Sequence, residues 1–124
     1  MSSSVLDMRD WITRVESIKE LKRIDGADWN LEIGAIGSLN VKRNDNAALL
    51  FDKIKDYPPG YRLLSCAVST PNRVAITMGL PTGCTDLELL TIMREKLFEW
   101  KANADKYPPQ FVKTGPVMEN VDSG

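Results

Sequence analysis

The run Ala47-Ala48-Leu49-Leu50-Phe51 constrains this chain more than any other feature. It is short, wholly apolar and bounded by turn chemistry. A polar loop at residues 42–46 precedes it, and Asp56-Tyr57-Pro58-Pro59-Gly60 follows. Such a run is expected to be a buried strand. Residues 61–68, Tyr-Arg-Leu-Leu-Ser-Cys-Ala-Val, are rich in residues that suit a buried sheet and read as a further strand. Leu21-Lys22-Arg23-Ile24 alternates apolar and basic residues, as a short strand does, and Asp25-Gly26 ends it in a turn.

Between these runs the period changes to that of a helix. Asp7 is an N-cap for a helix over about residues 8–19, whose apolar positions are Met8, Trp11, Ile12, Val15 and Ile18. Leu31, Ile33, Ile36 and Leu39 mark a second helix. Gly34 and Gly37 lower its propensity but would let a neighbour approach closely. A phosphate loop is the weaker reading of that pair, because a nucleotide fingerprint needs another glycine and a preceding strand. Thr70-Pro71 opens a third helix with Val74, Ala75 and Met78 on its buried face, Gly79 as C-cap and Pro81 beyond it. Thr85-Asp86-Leu87-Glu88 is a capping box for a fourth helix. That helix runs to about residue 103, with Leu87, Leu90, Met93 (or Arg94 at the margin), Leu97 and Trp100 on its apolar face. The expected fold is α+β (or α/β): a small mixed sheet of short strands flanked by about four helices, with an extended C-terminal linker. Residues 1–106 are read as the domain and 107–124 as the linker.

That final stretch is not a polar tail. Pro108, Pro109 and Pro116 keep it out of helix. Phe111, Val112, Val117, Met118 and Val121 are apolar. Two readings stand side by side: a surface for a partner, or a strap on its own domain. Exposed, it would form an apolar patch that demands covering. Its stop at Gly124 is read as the edge of something larger.

A chain of 124 residues supports one domain with its own core. With 43% hydrophobic and 27% charged residues it has globular rather than disordered composition. Net charge is −1, from 16 basic and 17 acidic residues that interleave, so no nucleic-acid footprint is visible. There is no histidine. That excludes Ser-His-Asp and Cys-His nucleophile pairs and every imidazole metal site. Cys66 and Cys84 lack CxxC spacing and are expected to be buried, reduced thiols rather than zinc ligands. No signal peptide is apparent and no apolar run reaches the ~20 residues of a membrane span, so the expected location is cytoplasmic.

Four segments, taken in order, resemble one family. Asp7-Met8-Arg9-Asp10-Trp11-Ile12 with Glu20-Leu21-Lys22-Arg23-Ile24 is similar to its opening helix and strand. Leu31-Glu32-Ile33-Gly34-Ala35-Ile36 is similar to its next helix. Ala48-Leu49-Leu50-Phe51 with Tyr57-Pro58-Pro59-Gly60 is similar to its strand and turn. Pro108-Pro109, Thr114-Gly115-Pro116-Val117 and Glu119-Asn120 are similar to its run-in to a second domain. The family is the UbiD-like (de)carboxylases, and the resemblance covers only their N-terminal domain.

The resemblance implies reversible decarboxylation of an aromatic or α,β-unsaturated carboxylic acid on prenylated FMN. It also implies manganese and potassium near the cofactor phosphate and a glutamate–arginine–glutamate proton network. All of these belong to a domain downstream of Gly124. No catalytic, cofactor-binding or metal-binding residue is therefore assigned here, Glu119 included. The implied partner is a flavin-binding catalytic domain or subunit, in an oligomer, with no nucleic acid and no membrane.

Other residues invite functional readings. Asp86, Glu88 and Asp105 could be carboxylates for acid–base work, but capping accounts for Glu88. Trp11 and Trp100 are read as core, and Trp29 as a staple or an interface anchor. Gly79 and Gly83 flank Pro81-Thr82 as a turn, without a Walker pattern. A second functional reading is an accessory protein that binds a partner subunit and has no chemistry of its own. The weakest is a self-contained small enzyme.

Overall fold

The computed structural model describes residues 5–116 and residue 119. Expectations for Val117, Met118 and Val121 lie outside these residues. The chain divides between Ile92 and Met93 into two compact units. The expected boundary at 106/107 lies inside the second.

The first unit holds a three-stranded mixed sheet. β1 (Leu21–Asp25), β2 (Ala48–Asp52) and β3 (Leu63–Ser65) lie in that order. β1 runs parallel to β2 with Leu21 opposite Ala48, and β3 is antiparallel with Leu64 opposite Leu50. β2 is the central strand, and Ala48 to Phe51 are all buried. Successive side chains of a strand point to opposite faces. Ala48 accordingly packs with Trp11, Val15 and Ile76. Leu49 and Phe51 pack with Ala27 and Ile54, and with Ile33 and Ile36 at the edge of the cluster. Helices α1 (Met8–Ser17) and α3 (Pro71–Met78) thus cover one face and α2 (Glu32–Val41) covers the other. A strand buried on both faces reads as a continuous apolar run, which is why residues 47–51 were legible.

Caps set the helix ends. The Asp7 carboxylate accepts from the backbone N–H groups of Arg9 and Asp10 at 2.8 and 2.9 Å. Thr70 caps α3, and Gly79 closes it at φ +67°, where a side chain would be strained. The helix α4 (Asp86–Asn103) starts with the expected reciprocal box. Thr85 N–H donates to Glu88 Oε2 at 2.8 Å, and Glu88 N–H donates to Thr85 Oγ1 at 3.4 Å. The backbone N–H and then the hydroxyl of Thr85 hold the Glu88 carboxyl below its usual 4.5. The cap is therefore intact above that ordinary value and weakens as acid protonates Glu88.

Four expectations are corrected. β3 is three residues long, not the expected 61–68, because Cys66 sits at φ +56° and turns the chain out of the sheet. On α3 the buried positions are Arg73, Ala75 and Ile76, with Val74 and Met78 only half-buried. On α2, Ile33 and Ile36 pack inward, but Leu31 and Leu39 face solvent. On α4 only Leu89 is buried, and Trp100 is exposed, against the expectation of core. Trp11 is in the core as expected, with its Nε1–H donating to Thr77 Oγ1 at 2.9 Å.

The second unit begins with the later turns of α4 and continues through a 3-10 turn, Ala104–Lys106. Lys96 and Glu99 pair at 2.9 Å on its surface. No helix among the described residues is long and apolar enough to cross a membrane.

Candidate functional site

The functional geometry divides into a rigid polar anchor inside the first unit and apolar surface outside. The anchor is Arg73, whose side chain is fully buried. Its Nη1–H donates to Glu20 Oε2 at 3.0 Å and to the Asn46 carbonyl at 3.1 Å. Nη2–H donates to Asn46 Oδ1 at 2.6 Å, and Nε–H to the Ala67 carbonyl at 3.0 Å. Glu20 also accepts from Thr70 Oγ1 at 2.6 Å and Asn72 Nδ2 at 2.9 Å. Asn72 Oδ1 in turn accepts the Gly83 N–H at 3.0 Å, which supports the turn reading of Gly83. Burial pushes the Arg73 guanidinium below its ordinary pKa, and the Glu20 carboxylate opposes that push.

One planar, five-donor group thus ties α3 to the residue that leads into β1, the loop before β2 and the loop after β3. A buried charge is tolerated only when paired and hydrogen-bonded throughout, as it is here. Asn40 does a smaller version of this job, with Nδ2 donating to the Ala47 carbonyl at 2.8 Å and Oδ1 accepting the Ala47 N–H at 3.3 Å. Sequence reading missed the Arg73 network because its members lie far apart in the chain.

Sequence-selected residues are not brought together for chemistry. Glu88 is engaged in its cap, and Asp86 and Asp105 are exposed. Cys66 and Cys84 are free thiols as expected, but half-buried rather than buried. The Cys66 thiol donates weakly to the Gly37 carbonyl at 3.8 Å. A Cβ on Gly37 would meet Ser65 Oγ at 3.5 Å, an ordinary van der Waals contact, and Gly34 has open space around it, so neither glycine is required by a close approach. Among the described residues, no three His, Cys, Asp or Glu side chains group to hold a metal ion.

What the surface offers instead is apolar area. In the first unit Trp29, Leu31, Leu39, Leu87 and Leu90 are exposed, with Leu31 at 82%. In the second, Leu97, Phe98, Trp100, Phe111 and Val112 are exposed, with Phe111 at 95%. Trp29 is thus no core residue. Clusters of large exposed apolar side chains mark surfaces that are covered by something else.

The first unit is a small α+β fold with a hydrogen-bonded interior and large apolar side chains exposed on its surface. The chain belongs to the UbiD N-terminal domain family, described as the 3-octaprenyl-4-hydroxybenzoate carboxy-lyase N-terminal domain, whose model matches residues 12–93. Its fold is similar to that of solved Sedimentibacter hydroxybenzoicus vanillic acid decarboxylase (ShVdcCD) in open form. One structure matches at TM-score 0.64 and 20% identity, covering 86% of this chain and 21% of that one. Another, with truncated ShVdcD, matches at TM-score 0.61 and 21% identity, covering 82% and 20%. The chain spans about a fifth of the length of these matched chains.

Proposed function

We propose that this chain is the N-terminal part of a prenylated-FMN-dependent decarboxylase acting on aromatic or α,β-unsaturated carboxylic acids. The observation that carries the reading is the family match over residues 12–93. The exposed apolar side chains on both units support a docking role beside a cofactor-bearing part. In this reading the electron sink is supplied by the flavin when bound elsewhere. The residues of this chain contribute a rigid docking surface and no proton transfer. The complete enzyme is cytoplasmic and oligomeric, with manganese and potassium at its cofactor.

An assay for carbon dioxide release tests the reading. The purified 124-residue chain, offered benzoic-type and cinnamic-type acids, should release none above the uncatalysed rate. Material carrying the cofactor-bearing part should release it readily. Turnover by the isolated chain would sink the division of labour proposed here.

A further inference from the structure

We propose that the groove between the start of α1 and the β2–β3 face, together with the edge of β3, seats an extended, acidic segment of the cofactor-bearing part. The inference rests on the function proposed above and names the chemistry of the partner.

The first unit contains six arginines. Four are in ion pairs: Arg14 with Asp10, Arg23 with Glu16, Arg43 with Asp45 and Arg73 with Glu20. The other two, Arg9 and Arg62, have side chains with no ion pair or hydrogen bond among the described residues. Both line the same groove, of about 430 Å³. The groove is further lined by Ile12, Leu50 and Leu64. Leu50 and Leu64 face each other across β2 and β3, so the apolar lining spans two strands. Asp7 is the groove's one carboxylate, and its Oδ1 is committed to the first turn of α1.

Strand order adds a third observation. β3 is the last strand of the sheet, so one side of Leu63–Ser65 has no strand partner among the described residues. An edge strand without a partner strand is a template for strand addition. The turn that leads into it is braced. Tyr57 and Tyr61 pack with ring centroids 6.0 Å apart, and Gly60 adopts φ +98°, a conformation that favours glycine. The edge and its arginine are thus presented on a fixed support.

Two unpaired guanidinium groups beside an apolar lining select a carboxylate flanked by apolar side chains. A strand's alternation places every second side chain on one face, so an extended segment delivers both from one stretch. A basic segment would meet like charge, and a purely apolar one would leave both arginines unanswered.

The test is an NMR titration of the full ¹⁵N-labelled chain with two synthetic ten-residue probes. One alternates Val with Glu and the other alternates Val with Lys. The expected result is a saturable shift of the amides of Leu63, Leu64 and Ser65 and of the Arg9 and Arg62 Nε signals with the Val/Glu probe alone. The Arg9→Glu/Arg62→Glu variant should bind that probe at least tenfold more weakly and turn to the Val/Lys probe. Both side chains are exposed, so the remaining amide spectrum reports directly that the variant is folded. If it is not, Arg62→Gln alone serves, with a weaker shift expected.

Equal response to both probes, no saturable shift at residues 63–65, or an equal response to sodium acetate would overturn the proposal. Its failure is distinguishable from failure of the proposed function: the titration reads the groove's preference for an acidic strand without any turnover, whereas carbon dioxide release by the isolated chain tests the division of labour and leaves that measured preference standing.

Discussion

Replacing Arg73 by Met should destabilise the first unit by about 3–5 kcal/mol, the cost of breaking a buried ion pair from one side. The side chain has no solvent exposure, and four acceptors depend on it: Glu20, the Asn46 carbonyl and side chain, and the Ala67 carbonyl. Met fills part of the volume but donates nothing. The loss is a large fraction of the roughly 5–15 kcal/mol that holds a typical domain together. Urea denaturation followed by circular dichroism reads it directly. Glu20→Gln should cost less, because the Glu20 side chain is 22% exposed and water can reach it. The double variant should cost less than the two singles added, since both remove the same pair. A loss below about 1 kcal/mol for Arg73→Met would show that the network is not what ties α3 to the sheet.

The second large effect separates core from docking surface with one chemical change made at two places. Phe51→Ala should cost about 3–5 kcal/mol, because Phe51 is fully buried in the cluster with Ala27, Leu49 and Ile54. Phe98→Ala should change stability by less than about 0.5 kcal/mol, because Phe98 is 68% exposed. Thermal unfolding of the two variants beside the parent chain checks both. Similar losses at the two positions would mean that Phe98 is covered within this chain and is not free to meet a partner.

The contrast bears on how much the sequence disclosed. Local chemistry gave away the helix ends, because caps act within three or four residues. Asp7, Thr70, Gly79 and the Thr85–Glu88 box all stand where their side chains or backbone freedom require. The central strand was legible because burial on both faces leaves no polar alternation to confuse it. The length of β3 was not legible, since Cys66 leaves the sheet through a left-handed turn that its residue type does not announce. Arg73 was not legible either. A charged residue on a short amphipathic helix reads as solvent-facing, and its partners Glu20 and Asn46 are 53 and 27 residues away. The apolar stripe of α4 was seen and misassigned. Periodicity shows that Leu90, Leu97 and Trp100 share a side of the helix, but it is silent on whether this chain or another covers them. The same limit hid the groove at β3, whose two arginines come from α1 and from the approach to the edge strand.

The most direct measurement is native mass spectrometry of the protein purified from its own source, with an absorbance spectrum of the same sample. The account predicts a heavier, yellow species in which these residues travel with a flavin-bearing part. A colourless species of 13.9 kDa, with nothing bound, would contradict it.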